Sequence, residues 1–276
     1  MTTDSTEIAA FADSRELAAY AEFAPELRVS IEGGLATVAI NRPEQMNAVD
    51  EAVHHALAGI WRTLDADDAV RAVVITGTGR AFSAGGDMVM FGRLIDDPVA
   101  RAFQINEARI VFHEIIGFSK PLVAAVNGPA VGLGCSIAML SDLVVMGENS
   151  YLADPHVAVG LTAGDGGAAM MPLLVGMMKA KEYILLGERI TGAVAKELHL
   201  ANRLVADDEV LTCATELGRK LAALPAQAVR SSKIALNMHV SRAALGILEY
   251  ALAEELTSFG TDEFSERVAA FRSRTK

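Results

Sequence analysis

Cysteine is scarce in this chain of 276 residues: Cys135 and Cys213 are the two present. They lack metal-ligand spacing, and two thiols so far apart argue against a disulfide framework. No apolar run reaches the roughly 18 residues a membrane helix needs. The start, "MTTDSTEIAAFADSRELAAY", is polar and acidic where a secretory or transit leader would be basic and then apolar. These absences predict a soluble, cytoplasmic protein with no membrane partner. Positive charge is also short, at a formal net charge of −11, which disfavours nonspecific nucleic-acid binding. A polyanionic ligand would need a local cluster of Arg and Lys. There is no metal motif, no phosphate loop of the GK[ST] type, no nicotinamide fingerprint, no tandem repeat and no low-complexity linker.

What is present can bury a sizeable core: 51% of residues are hydrophobic and 21% charged. Residues 1–26 read as an acidic, partly helical extension ending at Pro25. "RVSIEGGLATVAI" alternates apolar and polar residues around Gly33 and Gly34, a hairpin signal. "DEAVHHALAGIWRTLDAD" has helical spacing with Asp50 as a candidate N-cap. "VRAVVITG" and "PLVAAVNG" are β-branched runs closed by glycine, suited to buried parallel strands. "ARAFQINEARIVFHEIIGF" and "GLGCSIAMLSDLVVM" read as helical runs, and from Ala168 onward the chain is mostly helical. Strands alternating with helices imply ββα or βαβ units and an α/β class.

Two glycine-bearing junctions follow strands: "AFSAGGDM" (81–88) and "NGPAVGLGCS" (127–136). The second opens a helix, where orphan N–H groups and the macrodipole favour negative charge. Two such donors meeting at one oxygen would make an oxyanion hole, although glycine-rich turns after strands are usually only turns.

"NRPEQMNAV", "AFSAGGDM" and "AAVNGPAVGLGCSIAMLSDLVV", in this order and separation, resemble the enoyl-CoA hydratase/isomerase, or crotonase, superfamily. The resemblance runs from about residue 28 through "GERITGAVAKELHLANRLV" to "SSKIALN" near 237. It implies a ββα spiral core (27–205), a helical C-terminal trimerisation region (206–276), and assembly as a homotrimer or a dimer of trimers. It also implies an acyl-CoA substrate, with coenzyme A as part of that substrate and no separate cofactor. The N–H groups of Gly86 and Leu133 would hold the thioester carbonyl. Ala48, Ala84, Asp87 and Met88 would line the coenzyme A pocket. Leu133 stands where the family usually has glycine, which would narrow the pocket, or strain the turn if the site needs positive φ. Glu44 replaces a basic residue that many members offer to the phosphates. Arg42, Lys120, Arg80 and Lys233 are substitutes, each equally readable as a solvated surface charge.

Hydratases of this type use two glutamates, at positions that correspond here to Ser136 and His156. A serine hydroxyl is no carboxylate base, whereas a histidine exchanges protons near neutral pH. The nine-residue separation of His156 and Asp165 in "DPHVAVGLTAGDGG" resembles the β-diketone hydrolase branch of the superfamily. There Asp165 would hold one ring nitrogen of His156 and leave the other to activate water. The bland alternative has Asp165 capping the helix "GGAAMMPLLV" and His156 packing on the loop.

His54 and His55 are adjacent on a helix and point apart, His113 and His199 stand alone, and all four read as structural. Asp142, Cys135 and the Met170/Met171 and Met177/Met178 pairs also read as structural. Three functions remain: a coenzyme A-thioester hydratase or isomerase, a β-dicarbonyl carbon–carbon hydrolase, and a non-catalytic acyl-CoA- or RNA-binding relative. The third is disfavoured because residues 98–120 offer only Arg101, Arg109 and Lys120 as a positive stripe.

Overall fold

Gly33 and Gly34 both take positive φ and close an antiparallel hairpin between β1 (Leu27–Glu32) and β2 (Leu35–Ile40). The computed structural model describes residues 15–274, so most of the 1–26 extension lies outside them. Its described end, Arg15–Phe23, is a 3-10 helix that buries Tyr20 and Phe23 against α1 (Glu51–Ala66). Asp50 is the N-cap of α1, accepting from the Val53 amide at 2.9 Å.

The chain continues through β3 (Ala72–Gly77), α2 (Met88–Asp96), α3 (Pro98–Gly117), β4 (Leu122–Val126), β5 (Pro129–Val131), α4 (Leu133–Leu140), β6 (Leu143–Gly147) and β7 (Tyr151–Ala153). Then come α5 (His156–Val159), α6 (Gly167–Val175), α7 (Met177–Leu186), β8 (Ile190–Thr191), α8 (Gly192–Glu197) and β9 (Arg203–Val205). Four helices finish it: α9 (Val210–Ala223), α10 (Ala226–Ala244), α11 (Ile247–Ser258) and α12 (Asp262–Arg274).

The main sheet has six strands in the order β1-β2-β3-β4-β6-β9, parallel beyond the first hairpin, and a second sheet has three in the order β5-β7-β8. In β4–β5–α4 and β6–β7–α5 the first strand joins the large sheet and the second joins the small one. That is a ββα spiral. Alternation along the central strands divides the core: Val73, Ile75, Leu122 and Ala124 face α1 and α3, while Val74, Val123 and Ala125 face α9. Gly218 lets α9 approach closely, since a Cβ there would lie 2.6 Å from Leu35 Cδ1.

One helical expectation fails. The run "GLGCSIAMLSDLVVM" is helical only to Leu140; Ser141 ends α4, and the β-branched segment after Asp142 becomes central strand β6. Asp142 fixes that change by accepting from the Leu122 amide at 2.7 Å and pairing with Lys233 at 2.8 Å.

Lys120 and Lys233 are also corrected as phosphate ligands, because both are buried. Lys120 Nζ donates to the carbonyls of Leu64 and Asp67, each at 2.6 Å, closing the C-terminal end of α1. Lys233 Nζ donates to the Lys120 carbonyl at 2.8 Å and ties α10 to the sheet. Lys120→Met leaves those two carbonyls without their donor and is expected to cost about 2–4 kcal/mol, read as a lower urea midpoint. An unchanged midpoint would remove Lys120 from the framework.

Candidate active site

Ser83 brings the two glycine turns together. Its N–H donates to the Pro129 carbonyl and its carbonyl accepts from Val131 N–H, both at 2.9 Å, so the 81–88 turn pairs with β5. Gly134, the second residue of α4, presses on it: a Cβ there would lie 2.8 Å from Ser83 Cβ. Gly86 is bracketed by a second main-chain bridge, Val49 N–H to Gly85 O at 2.8 Å and Asp87 N–H to Val49 O at 2.9 Å. That pairing passes over the Gly86 amide. Among the described residues, neither Gly86 N–H nor Leu133 N–H has a hydrogen-bond acceptor, and both residues line one cavity of about 60 Å3. Leu133 itself is unstrained, because the positive φ falls on Gly132 (53°) and Leu133 is the first helical residue.

His156 enters the same cavity on the short helix α5. A Cβ on Gly132 would lie 3.7 Å from His156 Cε1 and 3.9 Å from Gly85 Cα, so the ring stands beside both turns. Its Nδ1 is hydrogen-bonded to Asp154 Oδ1. This corrects the expected pairing, because Asp165 does not hold that nitrogen. Asp165 Oδ2 faces Nε2 at 3.6 Å, and Glu255 Oε1, from α11, faces it at 3.9 Å. Both gaps exceed a normal hydrogen bond, leaving the Nε2 donor available to a ligand. Asp165 is held instead by Ser136, whose Oγ donates to Oδ1 at 3.0 Å. Nor does Asp165 cap α6: the N-cap is Gly166, without a side-chain hydrogen bond.

All four ionisable groups are buried, and their protonation states are linked. Burial alone would lower the His156 pKa, but the charges of Asp165, Asp154 and Glu255 raise it well above the ordinary value, so the ring is held as imidazolium. Burial raises the Asp165 carboxyl, and burial pushes Glu255 up to about 8 even against the attraction of His156. One cation cannot offset three buried carboxylates, and Glu255 keeps its proton near neutrality. Asp154, His156 and Asp165 also bring three ligand-type atoms within 4.8 Å of one another. A metal would need neutral imidazole there and would compete with the Asp154 hydrogen bond.

The residues expected around coenzyme A are grouped differently. Arg42 Nη1 donates to the Ala48 carbonyl at 2.7 Å and pairs with Asp87 at 3.2 Å, while Nη2 pairs with Asp50 at 3.2 Å. It is a brace for the turn, engaged on every side, which corrects its reading as a free phosphate ligand. Asp87 also caps α2 through the Val89 and Met90 amides. Ala84 N–H donates to Met46 O at 3.0 Å, so Ala48 and Ala84 sit in the same braced turn pair. Met88 lies apart, in an apolar cleft of about 180 Å3 shared with Phe271 and Val268 of α12. Arg80 is exposed.

The family model for enoyl-CoA hydratase/isomerase matches residues 30–276. The chain belongs to the enoyl-CoA hydratase/isomerase family. It is 33% identical to the short-chain-enoyl-CoA hydratase of Clostridium acetobutylicum, over 89% of this chain and 94% of that protein. It is 31% identical to a probable enoyl-CoA hydratase of Rhizobium meliloti, over 91% and 96%. A crystal structure of an enoyl-CoA hydratase/isomerase from Mycobacterium paratuberculosis superposes with a TM-score of 0.87 at 46% identity, covering 89% of this chain and 98% of that one. The ββα spiral is therefore the family's fold, and the protein is an enzyme of the hydratase/isomerase type.

The residues that the sequence reading singled out, His156, Asp165, Gly86 and Leu133, line one cavity with Ser136 bonded to Asp165, and they are joined by Asp154 and Glu255, which that reading did not name, and by His54, which it took as structural. Asp154 was visible as an acidic residue two positions before His156. Glu255 and His54 were visible as polar residues on the apolar stripes of α11 and α1.

Because folded Glu255 titrates near 8 against an ordinary 4.5, the folded state holds an extra proton between those values. Its contribution to stability is present below about pH 4.5 and is lost as pH rises towards 8. Glu255→Gln should therefore gain stability relative to the parent between pH 5 and pH 8.5, measured by urea unfolding at each pH. A difference that does not change with pH would contradict the buried, protonated carboxyl.

Proposed function

We propose that this enzyme stabilises an enolate on the Gly86 and Leu133 amides while His156, Asp165 and Glu255 manage the protons of an attacking water. The observation that carries the reading is the pair of acceptor-free amides lining the same cavity as His156 Nε2. Charge that builds on a carbonyl oxygen during attack at a neighbouring carbon is stabilised most by donors already in place.

In the leading reading the substrate is an acyl-CoA thioester with a 2,3 double bond. Water loses a proton to the Asp165 carboxylate as its oxygen bonds to the β-carbon. The electron pair moves to the thioester oxygen, between the two amides. The His156 imidazolium then returns a proton to the α-carbon. Asp165 and His156 exchange the remaining proton across their 3.6 Å gap and restore the starting state. Asp154 is a positioning residue that fixes the ring through Nδ1. The chemistry draws on the chain's own groups and on the coenzyme A carried by the substrate.

A second reading, carbon–carbon hydrolysis of a β-dicarbonyl compound, is favoured by one observation: a histidine held by an aspartate stands where hydratases carry a glutamate. Water would lose a proton to the Asp165 carboxylate as it adds to one carbonyl, the bond to the carbon between the carbonyls would break, the enolate left on the second carbonyl would take the His156 proton, and Asp165 would pass its proton back to His156. Arg42, engaged by Asp50 and Asp87, is no free phosphate ligand, which is compatible with a substrate lacking coenzyme A. Steady-state assays with crotonyl-CoA and with a 2,2-disubstituted cyclic 1,3-diketone separate the two readings, since each predicts turnover of its own substrate.

The exposed apolar residues Leu173, Leu174, Met177, Met178, Leu185 and Leu186 of α6 and α7 support assembly with further copies of the chain, as a trimer or a dimer of trimers.

Leu133→Pro removes one amide at a first helical position, where proline is tolerated, so folding should survive. The expected loss in kcat is about 10²- to 10³-fold, with a lowered melting temperature from the lost Leu133 packing that stays above the assay temperature. His156→Ala is expected to lower kcat by about 10²- to 10⁴-fold. Full turnover by Leu133→Pro on the active substrate would sink the oxyanion role.

A further inference from the structure

The cavity that His156 enters is also lined by two polar side chains that make no side-chain hydrogen bond among the described residues. His54 of α1 and Gln104 of α3 both line it, at 5% and 6% exposure. His54 Nδ1 is buried with no hydrogen-bond partner, and the Gln104 carboxamide has none among the described residues. A buried polar group left unpaired destabilises a folded protein by about 1–3 kcal/mol. That buried Nδ1, beside a second side chain that makes no hydrogen bond, on one wall among Val49, Met90, Ile105 and Ala108, points to a missing oxygen or nitrogen partner.

We infer that His54 and Gln104 form a recognition subsite for an uncharged oxygen, a ketone or hydroxyl, on the acyl part of the substrate beyond the carbonyl held by the two amides. The inference rests on the reading of this cavity as the substrate site. The charge of the partner follows from the surroundings. Burial holds His54 down to about 4, so it is neutral at physiological pH and offers a hydrogen bond without a charge. Asp154, Asp165 and Glu255 stand near the same cavity and oppose a carboxylate there. A plain hydrocarbon tail would leave both polar groups unpaired. An oxygen on the chain satisfies them and adds discrimination of the kind a hydrogen-bonding pocket achieves against an analogue lacking the group.

The test uses ligand pairs that differ by one carbonyl oxygen and are inert to both proposed reactions: 4-oxopentanoyl-CoA against pentanoyl-CoA, and cyclohexane-1,4-dione against cyclohexanone. Dissociation constants are measured by calorimetry for the parent, His54→Leu and Gln104→Leu, together with their melting temperatures. The parent is expected to bind the oxo member at least about tenfold more tightly in one pair or both, equivalent to about 1.4 kcal/mol. The pair that shows the preference tells whether coenzyme A is part of the ligand. Each leucine variant should flatten the ratio while melting at the same or a higher temperature, because an unpaired polar group has been removed. Equal affinities within both pairs, no binding of any probe, or a preference that survives in both variants would overturn the subsite. Since binding is read without turnover, failed catalysis with an intact oxo preference would count against the proposed reaction and leave the subsite standing.

Discussion

The site depends on two loops of main chain lying against each other closely enough to share hydrogen bonds. Ser83 pairs with both sides of Ala130, its hydroxyl donates to the Asn47 carbonyl at 2.8 Å, and Gly134 leaves the space that lets α4 start where it does. Asn47, fully buried, donates to the carbonyls of Thr78 and Ala81 and fixes the third strand of this knot. With these contacts made, the Gly86 and Leu133 amides face one cavity and find no internal acceptor. What these turns present to the cavity is main chain, so on the proposed mechanism a leucine side chain at 133 is compatible with the donor.

The proton-handling part is built from side chains, on different elements and under a different constraint. Asp154 and His156 lie two residues apart on the loop after β7, Asp165 lies on the turn into α6, and Glu255 comes from α11. Their burial makes charge neutrality the controlling condition. The surrounding carboxyls favour imidazolium at His156, and Glu255, pushed up to about 8 by burial, keeps its proton near neutrality. Ser136 donates its hydroxyl to Asp165 and so fixes the orientation of that carboxyl beside His156.

How far this was legible in the sequence follows from range. The hairpin, the Asp50 cap, the central strands and the two glycine junctions are local signals, and each appears in the structure at its place. The strand β6 was hidden because "DLVVM" continues an apolar helical run, and only the tertiary contacts of Asp142 with β4 and Lys233 reveal the switch. Lys120 and Lys233 looked like surface charges because sequence carries no burial, yet both terminate in backbone carbonyls. The resemblance to the β-diketone hydrolase branch suggested Asp165 as the partner of His156. In space the nearer Asp154 takes Nδ1, since Asp165 is drawn to Ser136. Glu255, almost a hundred residues from His156, had only its place on an apolar stripe to mark it.

That last residue gives the fold two independent levers. Gly86 and Leu133 belong to the sheet-bearing part of the chain, whereas Glu255 arrives on α11, far along the sequence. On the proposed mechanism, substitutions along α11 would therefore retune the acidity beside His156 while leaving the main-chain turns around Ser83 in place.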